Sequence, residues 1–402
     1  MQLRFYLRHA TTHSLSDRSS SGLTWRSLSF CVSLTILLPF YAGCSGGSGS
    51  GSSPTGFRPD ANPGLPPSVS IAPDDTGDGW PTSTPDAEGM DAQSLLQNIE
   101  AIEHSPGVDS VVVARNGKLV AEGYFNGYGR DTMHDVRSAS KSITSALAGI
   151  AIDQGLLTTQ DTLGDSVYQL DRYDNWDVRK GSIKLIDLLH MSSGLACNDW
   201  VGSSPGNEEK MYRSADWPKF VLDLPMVTDP GEHSSYCTGG VVLLGSIIAT
   251  QSGMRLDEFA ATYLFNPIGI QTVEWRRSPD GSATGGGGMR LKPRDAAKFG
   301  SLYLDGGMWL GSRVLSESWV IQSQERVTTL GADAYGLLWW KRKFVVRGAE
   351  QECLFASGNG GNYIFVLPSE RMVVVFTGSN YNSQLGGQPI DLLPAKILST
   401  LR

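Results

Sequence analysis

Ser138 and Lys141 stand three residues apart at the head of an apolar run over 143–150. Three residues is close to one helical turn, so the two side chains share a face. The lysine amine can then take the hydroxyl proton if burial keeps that amine neutral. A serine activated in this way attacks acyl carbonyls, which is the chemistry open to a Ser-x-x-Lys arrangement. The spacing is weak on its own, because a Ser-rich chain yields roughly one by chance. Rival chemistries find less support. The histidines are scattered singly, with neither His-Glu-x-x-His nor Cys-x-x-Cys, so no metal is expected. Gly285-Gly286-Gly287-Gly288 and Gly358-Asn359-Gly360-Gly361 are not followed by Lys-Ser/Thr, which argues against a phosphate loop. Gly-x-Ser-x-Gly does not occur, and no organic cofactor is called for. A formal net charge of −8, with no basic cluster interleaved with aromatics, argues against a nucleic-acid partner.

The elements that would position the pair can be read from periodicity. Residues 91–102 form an amphipathic helix pattern. Ser110 to Ala114 and Lys118 to Tyr124 flank Asn116-Gly117, a strong hairpin signal. The helix that opens at Ser138 is expected to run to Gly155, a stop residue. From Gln160 to about Gly269 the pattern is mostly helical, with loops at 191–194 and 228–231. Further helices are expected at 293–304 and 317–324. Tyr335 to Trp340, Tyr363 to Val366 and Met372 to Phe376 read as three strands, and a helix over 390–401 closes the chain. The resulting fold class is α/β of the α+β type: one antiparallel sheet assembled from both ends of the chain and flanked by helices, with a mostly helical subdomain, about 156–285, inserted between them.

The first part of the chain stands apart from this plan. Arg4, Arg8, Arg18 and Arg26 precede an apolar run over about 28–41, too short to span a bilayer comfortably but suited to the core of a secretion signal. It ends in Tyr41-Ala42-Gly43-Cys44, which resembles the lipobox of bacterial lipoproteins, with Tyr41 in place of the usual Leu. That resemblance implies cleavage before Cys44, lipid on Cys44, and a place in the bacterial cell envelope facing the periplasm. Ser45 after the cysteine resembles outer-membrane sorting. A signal with an incidental cysteine, or an uncleaved anchor, are the plainer readings. Residues 45–88 are rich in Gly, Ser and Pro and read as a disordered tether, spanning on the order of 35–40 Å as a flexible coil. The expected organisation is therefore a signal segment at 1–44, a tether at 45–88 and one catalytic domain at 89–402.

Taken in order, Ser138-Ala139-Ser140-Lys141, Leu188 to Gly194, Pro230-Gly231 running into Tyr236-Cys237-Thr238, and Ala356-Ser357-Gly358-Asn359-Gly360-Gly361 before a strand are far more specific than any one of them. Residues 89–402 resemble the serine β-lactamase and penicillin-binding-protein superfamily, on the branch of class C β-lactamases, D-Ala-D-Ala peptidases, family VIII-type esterases and 6-aminohexanoate-dimer hydrolases. The resemblance implies a β-lactamase/transpeptidase-like fold with Ser138 as nucleophile. Lys141 and Tyr236 would be the proton-transfer groups, and the backbone N–H groups of Ser138 and Asn359 an oxyanion hole. Thr238, Ser357 and Gly358 would be substrate-binding residues. Of the cysteines left after the signal and lipid anchor, Cys197 and Cys237 both flank segments placed at the active site, so a disulfide between them is favoured, with three buried thiols as the alternative.

The sequence departs from the family pattern at two places. Thr238 stands where Tyr-x-Asn has its Asn, and Ala356 stands where Lys-Thr/Ser-Gly has its Lys. β-Lactams and D-Ala stems carry a carboxylate that is normally met by a cation. Ala356 supplies none, unless a remote Arg such as Arg347 or Arg290 compensates. The expected partner is accordingly a small ester or amide, cleaved through an acyl-enzyme. The alternatives are a β-lactamase, a D-Ala-D-Ala carboxypeptidase, or a non-catalytic cell-envelope lipoprotein of the same fold that binds peptidoglycan or a protein.

Overall fold

A computed structural model describes residues 61–402 apart from 76, 166 and 167. The expected signal segment, Cys44 and the first part of the tether lie outside the described residues. Strands follow in chain order as β1 (Ser68–Ser70), β2 (Val108–Arg115), β3 (Lys118–Tyr124), β4 (His134–Asp135), β5 (Glu274–Trp275), β6 (Met289–Leu291), β7 (Met308–Trp309), β8 (Ser312–Arg313), β9 (Thr328–Leu330), β10 (Asp333–Gly336), β11 (Trp339–Val346), β12 (Ala349–Gly358), β13 (Asn362–Leu367) and β14 (Met372–Gly378). Nine of them make one antiparallel sheet in the order β1-β3-β2-β14-β13-β12-β11-β10-β9. Strands from both ends of the described chain thus meet at the centre, where β2 pairs with β14. β4, β6 and β5 form a separate small sheet.

Period-2 alternation sorts the side chains of the large sheet onto two faces. Val112, Ala114, Val373 and Val375 join one apolar cluster, together with residues of the helices Ser140–Asp153, Thr238–Ser252 and Pro293–Leu304. Val111, Val113, Val374 and Phe376 join the other, under helix Ala92–Ile102 and the C-terminal segment. The molecule is therefore layered helix, sheet, helix. At the β2–β3 turn Asn116 (φ 54°) and Gly117 (φ 78°) both take left-handed backbone, the type I′ pattern expected of Asn-Gly. Asp91 caps the first helix by accepting from Ser94 N at 2.7 Å, and helix Pro293–Leu304 begins and ends where its pattern does.

Four expectations need correction. Residues 61–88 do not all belong to a tether: β1 pairs with β3 along the sheet edge, Trp80 is buried, and its indole donates to Gly117 O at 3.1 Å. A proline-rich stretch lacks its own core but can still be anchored by one strand and one aromatic. The stretch 335–340 is not one strand. Leu337 (φ 47°) and Leu338 (φ 61°) turn the chain between β10 and β11, a costly conformation for leucine, held there because Leu338 O accepts from Ser142 Oγ at 2.8 Å and Leu338 N donates to Leu189 O at 3.0 Å. Between 160 and 269 the helices are mostly short (Leu185–Leu189, Glu208–Met211, Trp217–Leu222, Leu256–Ala260), with Thr238–Ser252 the exception. Leu163, Leu195 and Leu224 are buried there from loops, so apolar content stood in for helical period. The C-terminal helix is broken into an α-turn over Gln388–Leu392, a wider turn over Leu393–Ile397 containing Pro394, and a tight turn over Leu398–Thr400.

Candidate active site

Ser138 sits in a tight turn, Arg137–Ala139, that leads into helix Ser140–Asp153. The turn is strained. Arg137 has φ 51°, a conformation that costs a side-chain-bearing residue about 1–2 kcal/mol. The Asp135 carboxylate holds it, accepting from Arg137 N at 2.9 Å and pairing with its guanidinium at 3.0 Å, while that guanidinium lies 4.5 Å from the centre of the Tyr381 ring. Val136 N also donates to Met289 O at 2.9 Å, tying the turn to the small sheet.

Lys141 is fully buried, the second residue of the helix. Its Nζ donates to Ser138 Oγ at 2.9 Å and to Gly286 O at 2.5 Å, and stands 5.2 Å from the centre of the Tyr236 ring. Tyr236 stands immediately before Cys237, the N-cap of helix Thr238–Ser252. Its ring lies parallel to Trp200 (centroids 5.4 Å, 6°) and near-parallel to Trp340 (5.7 Å, 26°), with Tyr335 edge-on at 6.3 Å. Burial pushes the Tyr236 phenol up from its ordinary range, and the Lys141 charge and a hydrogen bond with Ser138 pull it back down. The hydroxyl, amine and phenol thus converge from two separate parts of the chain. Trp200 is half-exposed at the rim, Trp340 is partly buried, and Tyr335 and Trp339 are fully buried, so of these four aromatics only Trp200 and Trp340 are open to solvent.

The third side is the end of β12. Gly358 packs against the Ser138 turn so closely that a Cβ would lie 2.1 Å from Val136 O and 3.1 Å from Ala139 N, and only glycine fits. Asn359 follows at the surface, its amide exchanging hydrogen bonds with Asn382, 2.7 Å to Oδ1 and 2.9 Å from the backbone N. Ser357 is partly buried, and Ala356 is fully buried against the helix layer. Neither remote arginine replaces the missing cation. Arg347 pairs with Glu370 at 2.7 Å, and Arg290 pairs with Glu274 at 3.0 Å and donates to Met133 O at 3.1 Å.

Thr238 does not sit where a substrate could meet it. It is fully buried, and its hydroxyl donates to Glu208 Oε2 at 2.9 Å, which corrects its expected substrate-binding role: the shorter side chain turns inward to a carboxylate. Behind it lies a polar cluster that the sequence reading missed. Asp199 accepts from Thr238 N at 2.6 Å and from Glu208 N at 2.9 Å, and the Tyr212 hydroxyl donates to Glu208 at 3.0 Å. Burial, reinforced by the Glu208 charge, pushes Asp199 up to about 6, while Lys141 acts in the opposite direction. Cys197 and Cys237 are joined, with Cα atoms 5.5 Å apart, and Cys353 is a buried free thiol in the sheet. Asp199 could have been found from that pairing, since it follows Cys197 by two positions as Tyr236 precedes Cys237 by one. Gly286 lies in the glycine run 285–288, where no motif singles it out.

The chain is 27% identical over 309 residues to the 6-aminohexanoate-dimer hydrolase of Paenarthrobacter ureafaciens, covering 70% of this chain and 74% of that protein. Among solved structures it is similar in fold to a family VIII carboxylesterase (TM-score 0.60, 14% identity, 76% of this chain and 97% of that one). A class C beta lactamase from Rhodobacter sphaeroides is a second such neighbour (TM-score 0.55, 17% identity, 75% and 99%). The beta-lactamase family profile matches residues 92–387, a span that holds the serine, the lysine, the tyrosine and the β12 strand together. The chain belongs to the beta-lactamase family.

Proposed function

We propose that this protein is a serine hydrolase that cleaves an ester or amide through an acyl-enzyme on Ser138. The observation that carries the proposal is the Lys141 Nζ, fully buried and 2.9 Å from Ser138 Oγ, with the Tyr236 ring beside it. In this reading Lys141, assisted by Tyr236, takes the Ser138 proton as Oγ attacks the acyl carbonyl. The oxygen that gains charge is met by the backbone N–H groups of Ser138 and Asn359, each such donor worth roughly a hundredfold to a thousandfold in rate. Tyr236 protonates the leaving group, and water then releases the acyl group from Ser138.

The substrate class follows from charge. The methyl of Ala356 replaces the cation, Arg347 and Arg290 are engaged elsewhere, and Arg137 is paired with Asp135. This favours a substrate without a carboxylate at that position, an ester or neutral amide, over a β-lactam or a D-Ala-D-Ala stem. Trp200 and Trp340 beside Tyr236 favour an apolar acyl or leaving group. A panel of p-nitrophenyl butyrate, nitrocefin and a D-Ala-D-Ala peptide, run beside Ser138→Ala, tests the reading. Turnover of the ester that disappears in the variant is expected. Preferential turnover of nitrocefin would overturn the substrate class. A wild-type protein inert to all three and to a fluorophosphonate would leave a non-catalytic binding lipoprotein as the better reading. The lipid anchor on Cys44 is part of the same proposal, and its test is loss of membrane association in Cys44→Ala.

A further inference from the structure

The two sides of the Tyr236 phenol are tied, link by link, to one short segment across from it. Cys197 is bonded to Cys237. Ser235 Oγ donates to Cys197 O at 2.7 Å, Asp199 N donates to Tyr236 O at 2.9 Å, and Thr238 N donates to Asp199 Oδ2 at 2.6 Å. Every residue from Ser235 to Thr238 is thus joined to 197–199 by a covalent or polar link, and both cysteines are buried. The Tyr236 side chain itself is met by Ser138, Lys141 and neighbouring rings. The residue's backbone lies outside helix Thr238–Ser252, and its ring is held by stacking on Trp200 and Trp340, of which Trp200 is itself half-exposed and follows directly on Asp199.

We propose that residues 197–199 are a clasp that positions the Tyr236 phenol against Ser138, so that opening the Cys197–Cys237 bond lowers the rate of acylation while leaving substrate binding in place. The proposal rests on the hydrolase reading and assigns positioning roles to Cys197 and Asp199. Displacing a reacting group by about 1 Å costs on the order of a hundredfold in rate. The disulfide withdraws that freedom from the one proton-transfer group that is not carried on a packed helix. It also makes the site sensitive to reductants. A cleft of about 190 Å³ has Cys197 in its wall, together with Met191, Leu195, Asn198, Val227 and Ser235. A dithiol such as dithiothreitol reacts there in two steps. One thiolate attacks Cys197 Sγ and expels the Cys237 thiolate. The second thiol then attacks the mixed disulfide, freeing Cys197 as a thiol and leaving the reagent as a cyclic disulfide, so two electrons and two protons pass from reagent to protein.

The test uses the full chain oxidised, reduced with dithiothreitol, and reoxidised, beside Cys197→Ser. With p-nitrophenyl butyrate, the reduced form and Cys197→Ser are expected to lose about 10- to 100-fold in burst rate and kcat, with KM changed less than about twofold. Reoxidation should restore the rate. Asp199→Ala, which removes the acceptor for Thr238 N, should behave like Cys197→Ser, and Asp199→Asn, which keeps an acceptor, should retain most of the rate. Hydrogen exchange at the Thr238 amide is read on the same samples and should quicken at least about tenfold when the bond is open. A folded Cys197→Ser protein with unchanged burst rate overturns the clasp, as does unchanged exchange at Thr238 in the reduced form. If the oxidised wild type gives no burst, the hydrolase reading fails, and the exchange measurement still decides whether the clasp exists.

Discussion

Ser138 stands in the turn that opens, and Lys141 lies within, a helix whose residues from Ser140 to Ala151 are all buried, so the Ser138 half of the site is fixed by close packing against the sheet and its neighbours. Tyr236 comes from the end of a stretch, 190–237, with two short helices and many loops, and is held by a disulfide, hydrogen bonds to backbone and ring stacking. Both halves reach the same point, yet they are stabilised by different physics. Apolar packing is non-directional and tolerates solvent fluctuation outside the core, whereas a polar clasp depends on a few directed links and fails when one is cut. One half of this site should therefore respond to mutation as a core does, and the other as a hinge does.

The sharpest break falls on the Ser138 half. Ser138→Ala is expected to lower kcat by about 10⁴-fold or more with little change in Tm, and Lys141→Ala by a similar factor. The double variant should be no worse than either alone, because the two act as a unit. Activity that adds across the two losses would separate them. Tyr236→Phe keeps the ring stack and removes only the hydroxyl, so a loss of about 10²- to 10³-fold with an unchanged melting temperature is expected in steady-state assays. A loss below about threefold would remove Tyr236 from proton transfer.

Gly358→Ala tests the packed half from its other side. The added methyl would meet Val136 O, and the Ser138 turn must move, so a fall in stability of about 2–4 kcal/mol in urea unfolding is expected together with lost activity. The smallest effect is expected at Asp109 on β2, buried with one carboxylate oxygen lacking a partner. Burial pushes Asp109 up to about 7, so the folded protein binds a proton there that the unfolded chain has already released. Stability should therefore fall as pH rises from about 4 to 7, and the cost is fully present above 7. Asp109→Asn removes it and should be more stable than wild type by roughly 1–3 kcal/mol at pH 8, and equal to it at pH 4. Equal denaturation midpoints at both pH values would contradict that account.

The same contrast explains which parts of the molecule could be read in the sequence. The Asn-Gly hairpin, helix Pro293–Leu304 and the strands β13 and β14 follow from local pattern, since each buries a face whose period is written in consecutive residues. Ser138 and Lys141 share that advantage, being three residues apart where a turn runs into a helix. Tyr236 and the Cys197–Cys237 pair came from family resemblance, Gly286 appeared only as part of a glycine run, and Asp199 and Glu208 did not appear at all. Their roles depend on contacts between residues 30 to 145 positions apart, such as Thr238 with Glu208 and Lys141 with Gly286, and no periodicity encodes these. Thr238 shows the cost of reading a motif without its surroundings. The family pattern placed it toward substrate, and its hydroxyl in fact serves a buried carboxylate. The Leu337-Leu338 turn is the same lesson in backbone form, where tertiary hydrogen bonds override what leucine prefers.

The central claim is covalent: the acyl group of the substrate is carried on Ser138. Rapid quench of the full chain with excess p-nitrophenyl butyrate, followed by peptide mass spectrometry, reads it directly. A butyryl adduct on Ser138, appearing with the p-nitrophenol burst and missing in Ser138→Ala, is the predicted result. Turnover with no adduct on Ser138, or turnover that survives in Ser138→Ala, would contradict it.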